Sequence, residues 1–557
     1  MRRKLLVSLA LAACSPLEFS RDPVDTAGSA APDVPAATTD VPEAVSDVPE
    51  APGPEFVPAG PRLFRLSSRQ YRNSVRDLFG PHIVPPSALE PDRAVDGLIA
   101  VGATVSTLSA RGVEQYFDAA LALAEQVVAS DEARQRVVPC ATQDGACARE
   151  AVAYAGRLIW RRPLETAELD ALMVTFEAAQ EALGTWDDGL RYALTFLLQS
   201  PHFLYRAEQG DAATSAYAPF ELAARLSYFL WNSTPDKALL EAAESGALLD
   251  DAVLATEVDR LLADARARDG VRNFFAEWLG LYELDALSKD PNVFRHYSSD
   301  LGALAREETL KLAETWAFEE AADFRSLFTT RTTFVNRRLA AIYDIPAPSG
   351  DELGAVDLPL TTPRRGILGH VGILALHSHP TSSSATLRGK FIRERVLCGA
   401  PLTPPANLNT SIPEPSPDAR TLKERLVVHM QVEECGACHR LLDPIGFGLE
   451  NFDGIGRFRT KDNDAPIDPS GTLDGEPFED AVELMARIAN HPMLTPCFVK
   501  HVYSYANGHA PENEEAQILH ALHEDFRANT FKILHLFRAV ALSRGFREVT
   551  PLSEVTQ

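Results

Sequence analysis

Residues 435–456 read CGACHRLLDPIGFGLENFDGIG. The stretch opens on Cys435-x-x-Cys438-His439, the spacing that attaches a c-type haem. Chemistry explains that spacing. Two sulfurs must reach two vinyl groups on one side of a flat ring, and a short helical turn must then bring the next imidazole under the iron. The pattern predicts Cys435, Cys438 and His439 as cofactor-binding residues, with His439 as the first axial ligand. The competing readings are a redox dithiol, a disulfide between Cys435 and Cys438, and a zinc knuckle. A zinc site usually needs a second paired cluster, and only Cys398, Cys497 and scattered histidines could complete one.

A single haem also needs a sixth ligand or an open position. Met485 and Met493 lie some tens of residues downstream. Met485 reads as a helix core residue, and Met493, in a loop after His491-Pro492, is the better metal ligand. His429, His501 and His509 are its rivals. Asp443, Asn451 and Asp453 lie close by in sequence and read as caps and braces of the local fold.

The rest of the chain is consistent with an exported protein. MRRKLLVSLALAAC, residues 1–14, has a basic start, a short apolar run and a cysteine after small residues. It resembles a bacterial lipobox, which implies lipidation of Cys14 and a membrane partner through that lipid. The implied location is the cell envelope, at the periplasmic face of an outer membrane or the cell surface. Covalent c-type attachment in bacteria occurs outside the cytoplasmic membrane, so leader and motif support each other. Residues 15–61 hold ten prolines, with Asp-Val-Pro recurring from Asp33, Asp40 and Asp47, and read as a disordered tether. The formal net charge of −25 argues against a nucleic-acid partner.

Of the seven cysteines, Cys14, Cys435 and Cys438 are accounted for. Cys140 with Cys147 and Cys398 with Cys497 then form two pairs, although Cys398 could pair with Cys435 if no haem were bound.

The fold expected is mainly α, with several packed helical domains and a small β-hairpin after the Cys-x-x-Cys-His motif. Ser67 or Ser68 caps a helix whose Tyr71, Val75 and Leu78 share one face, and Gly80-Pro81 stops it. Domain boundaries fall at 62–210, 211–346, 363–460 and 461–557, with proline-containing connections at 346–362 and 399–417. The turn-rich residues 461–478 read as the hairpin rather than a calcium loop. Glu307 and Glu308 are adjacent and so diverge on their helix. His370, His377 and His379 read as loop or cap residues rather than metal ligands. There is no G-x-S-x-G, P-loop or H-E-x-x-H, so hydrolase and nucleotide chemistry lack support.

Six stretches carry a family resemblance: LSSRQYRNSVRDLFG (66–80), WRRPLETAEL (160–169), ELAARLSYFLWNSTPD (221–236), RRGILGHVGILALHSHPTSSSATLRGKFIRERVLCGAPLTPP (364–405), CGACHRLLDPIGFGLENFDGIGRFR (435–459) and PIDPSGTLDG (466–475). The chain resembles uncharacterised exported proteins of planctomycetes and myxobacteria, built from five adjoining domains of unknown function and often carrying a cytochrome-like motif. The resemblance implies a multi-helix fold and no substrate. The run from Asp443 to Phe447 is also similar to the region after a haem in di-haem peroxidases. One departure is Tyr505-Ala506-Asn507-Gly508-His509, where the family has arginine at the last position. Together these features imply an envelope-anchored c-type haem protein that passes electrons to a partner the sequence does not name. The alternative is a haem-free structural or binding protein with Cys435 and Cys438 as a disulfide.

Overall fold

The computed structural model describes residues 54–402, 414–431 and 433–551. The leader with Cys14, most of the tether and the side chain of His429 lie outside the described residues. The fold is mainly helical, and its described strands form small two-stranded antiparallel sheets. Among the described residues no helix is long and apolar enough to cross a membrane.

The first long helix, α1 (Ser68–Phe79), begins as its sequence requires. Ser67 caps it and Gln70 closes a capping box. Its buried face carries Tyr71, Val75 and Leu78, and Gly80 ends it at φ 99°. Order starts before the helix, however. Phe56 is buried under Arg544, and Ala59 O accepts from the Thr550 backbone, so the expected tether ends earlier than residue 61.

Helices α2 (Ala110–Ala129), α3 (Gly145–Ile159), α4 (Thr166–Leu183) and α5 (Trp186–Gln199) enclose one apolar core. Strand β1 (Arg62–Arg65) pairs with β2 (Tyr205–Glu208) and ties the start of this region to its end. Arg161 turns the chain after α3 at φ 61°. Its guanidinium donates to the carbonyls of His202, Phe203 and Tyr205.

A larger core joins helices α6 (Pro219–Leu230), α7 (Arg266–Trp278), α8 (Leu301–Phe318) and the C-terminal helices. Aromatic rings fill its centre, with Phe324 stacked on Phe498 at 3.8 Å between centroids. As expected, Glu307 and Glu308 diverge. Glu307 pairs with Arg272 at the surface, whereas Glu308 is buried and accepts from Tyr343 and Thr333.

After the motif the chain forms two hairpins where one was expected. Lys461–Asp462 pairs with Ala465–Pro466, and Gly471–Leu473 pairs with Glu476–Phe478. Asn463-Asp464 and Asp474-Gly475 both lie at positive φ, the backbone that tight two-residue hairpin turns require.

Candidate functional site

The motif lies on helix α11 (Glu433–Phe447), counted after α9 (Ala385–Lys390) and α10 (Leu422–Met430). Both neighbours pack against it. Two glycines permit the contact with α9. A Cβ on Gly389 would lie 1.9 Å from Leu442 O, and one on Gly446 would lie 1.9 Å from Ala385 O. Two backbones therefore touch where any larger side chain would separate them. This accounts physically for the glycine in Asp443-Pro444-Ile445-Gly446-Phe447.

On α11, Cys435 is buried, Cys438 and His439 are half-buried, and both thiols are free. The two sulfurs are not joined in this structure. Buried Cys435 and half-exposed Cys438 sit in different surroundings one helical turn apart. His439 Nδ1 lies 2.7 Å from Asp443 Oδ2. Asp443 is fully buried, and its other oxygen accepts from Thr386 Oγ1 at 2.7 Å. A carboxylate only accepts, so Nδ1 carries the proton, and any metal bond would be made through Nε2. The donor set fits a covalently held c-type haem: two reduced thiols a turn apart, the adjacent histidine, and a buried carboxylate fixing that ring's tautomer.

The predicted braces are braces. Asp453 Oδ1 accepts from the backbones of Ile455 and Arg457, and Asn451 Nδ2 donates to Arg459 O. Sequence reading missed Arg388. It is 1 % exposed and donates to the carbonyls of Leu449, Phe452 and Asp453 at 2.7 Å and of Leu374 at 3.1 Å. Its place on α9 makes it the clamp of the turn after α11.

Met485 is a core residue, as expected. Met493 is half-buried at the start of helix α12 (Leu494–Asn507), its backbone N–H on His491 Nδ1 at 3.2 Å. That helix packs mainly on the C-terminal helices, whereas α11 packs mainly on α9 and α10, so Met493 and the motif stand on elements with different principal neighbours. His501 and His509 already have partners. His501 Nε2 lies 3.0 Å from Arg395 O, and His509 Nε2 lies 3.0 Å from Glu515 Oε2. His370 and His377 flank the short helix Val371–Leu376 as caps, as their sequence suggested.

Both predicted disulfides are present: Cys140–Cys147 and Cys398–Cys497. The second lies beside a cavity of about 670 Å³ whose lining includes Cys398, His377, Phe391, Arg395 and His501. Burial, with Arg395 nearby, lowers His501 to about 3 and keeps it neutral. This grouping was not foreseen. The Cys497-x-x-x-His501 spacing on one helix face was its only signal in the sequence.

Five family models match the chain in succession. Each is described as a protein of unknown function: DUF1587 over residues 65–129, DUF1595 over 147–208, DUF1592 over 218–345, DUF1588 over 364–462 and DUF1585 over 474–546. The chain is thus an array of five adjoining domains of unknown function, and the motif helix falls within the DUF1588 match. No curated protein and no solved structure matches it.

Proposed function

We propose that this chain is a cell-envelope protein that holds one c-type haem through Cys435, Cys438 and His439 and passes electrons. The observation that carries the reading is the donor set itself. Both motif thiols are free while the other described cysteines are paired with each other, and Asp443 orients the adjacent imidazole. The haem would supply reversible one-electron chemistry. The chain's own part is to hold the ring of His439 in one tautomer and to make it a stronger donor through the buried carboxylate. Met493 as the sixth ligand would make the centre a carrier, an assignment that rests on its place in the sequence. The leader supports a lipid on Cys14 that anchors the protein to a membrane, and the net charge of −25 speaks against nucleic acid.

The test is a pyridine haemochrome spectrum on full chain carrying Cys14→Ser, made in a host able to attach c-type haem. One covalent haem per chain, lost in Cys438→Ala, supports the proposal. A haem-free protein from that host, with Cys435 and Cys438 open to alkylation, sinks it.

A further inference from the structure

Cys398 and Cys497 are 99 residues apart in sequence, and the fold joins them beside the 670 Å³ cavity, which Cys398 lines. Their two sulfurs differ. Cys497 is 1 % exposed and sits on α12, whereas Cys398 is half-exposed and lines the cavity. The segment leading to Cys398 is a π-helical turn, Phe391–Val396, an irregularity that often marks functional sites. Cys398 itself stands at φ 53°, a left-handed conformation unusual for a residue with a side chain.

The chemistry around the bridge is specific. His501 Nε2 is 3.0 Å from Arg395 O, and a carbonyl only accepts, so that nitrogen carries its proton. The same N–H lies 3.6 Å from Cys398 Sγ. Cys497 Sγ lies 3.6 Å from the same Arg395 carbonyl. His377, which also lines the cavity, stacks on Phe391 at 4.1 Å, and its buried Nε2 has no hydrogen-bond partner among the described residues. Lys390, Arg395 and Lys500 face the space against Asp96 and Glu394, leaving it an excess of positive charge.

We propose that Cys398–Cys497 is a thiol–disulfide exchange site, and that the cavity admits a small thiol carrying carboxylates. The incoming thiolate attacks the cavity-facing Cys398 Sγ. The S–S bond breaks, and Cys497 leaves with the electron pair and takes up the proton the incoming thiol gave up. The Arg395 carbonyl is placed to accept the new Cys497 S–H. The His501 N–H lies within reach of the sulfurs as negative charge passes between them. A second thiolate then attacks the sulfur of the bound first thiol, the bond to Cys398 breaks, and Cys398 leaves with the electron pair and takes up the second thiol's proton. Two thiols are oxidised to one disulfide, and the protein bridge is reduced to two thiols. The Cys140–Cys147 bridge is similar in exposure, with Cys147 buried and Cys140 half-exposed, but among the described residues no histidine or carboxylate groups with its two sulfurs as His501 does with Cys398 and Cys497.

The experiment exposes the folded full chain carrying Cys14→Ser to glutathione, quenches with acid, alkylates and maps every cysteine by mass. The expected result is a glutathione adduct on Cys398 with a free thiol on Cys497. It should form at least about tenfold faster than any opening of Cys140–Cys147, because only at Cys398–Cys497 does a histidine N–H stand beside the sulfurs to stabilise the departing charge. His501→Gln should slow the adduct roughly fivefold and leave Cys140–Cys147 unchanged. A bridge that resists glutathione until the chain unfolds overturns the proposal, as does an adduct on Cys497. If His501→Gln does not fold, the wild-type map alone decides. The readout does not involve haem, so it stands or falls apart from the electron-transfer reading.

Discussion

Two cysteine pairs in this molecule have similar ingredients and opposite chemistry. On α11, Cys435 and Cys438 sit one turn apart with His439 next to them, and both thiols are free. At the cavity, Cys398 and Cys497 come from distant parts of the chain, with His501 beside them, and are joined. The histidines differ in what holds them. His439 is fixed by the buried Asp443 carboxylate, whereas His501 is fixed by a backbone carbonyl. A carboxylate makes the first ring electron-rich and suited to a metal. A neutral acceptor leaves the second as a plain N–H donor turned toward sulfur. The comparison teaches that the third partner, more than the cysteine spacing, sets what a Cys-Cys-His group can do.

The harshest test of this comparison is Arg388→Ala, because that side chain braces the turn after α11 from the helix that leads into the π turn. Four backbone carbonyls would lose their donor in a buried place, a loss of about 5 kcal/mol or more. The expected outcome is failure to give a cooperative urea transition, and a near-wild-type midpoint would break the link between the two regions.

The two bridges can then be compared directly. They close loops with sequence separations of 7 for Cys140–Cys147 and 99 for Cys398–Cys497. Chain entropy predicts losses of about 2–3 and about 4–5 kcal/mol on removing them. Urea unfolding of the two double-alanine variants checks the order. Equal losses would mean that the long loop retains structure when the chain unfolds.

Asp443→Ala should cost about 3 kcal/mol, since it leaves Thr386 Oγ1 and His439 Nδ1 without their buried acceptor. The same change should leave glutathione capture at Cys398 untouched, which sharpens the separation of the two sites.

The smallest effect comes from outside both. Burial raises Glu308 to about 7 from an ordinary 4.5. Its folded value lies above its unfolded one, so its contribution is full below about 4.5 and is lost as pH rises through about 7. His370 works in the other direction. Burial lowers it to about 3, so its contribution holds above 6.5 and fades as pH falls. Glu308→Gln should therefore flatten the fall in unfolding free energy on going from pH 6 to pH 9, by about 1.4 kcal/mol, nearly all of it before pH 8. Urea unfolding at the two pH values checks this, and a variant that loses as much stability as the wild type would mean that Glu308 does not titrate in this range.

Sequence alone determined what local chemistry controls. Ser67 and Gln70 fixed the start of α1, and Asn463-Asp464 and Asp474-Gly475 fixed turns, though as two hairpins where one was expected. Counting cysteines gave both bridges, and the motif gave the three residues of the candidate haem site. These are readable because a helix, cap or turn depends on residues a few positions apart. The partners of those residues were decided only by tertiary structure. Nothing in the chain announces that Gly389 and Gly446 let two backbones touch, that Arg388 collects carbonyls from Leu374 to Asp453, or that Cys398 meets His501 beside a cavity. Such contacts join residues tens to more than a hundred positions apart, and their energy comes from burial and hydrogen bonding that exist only once the helices have packed.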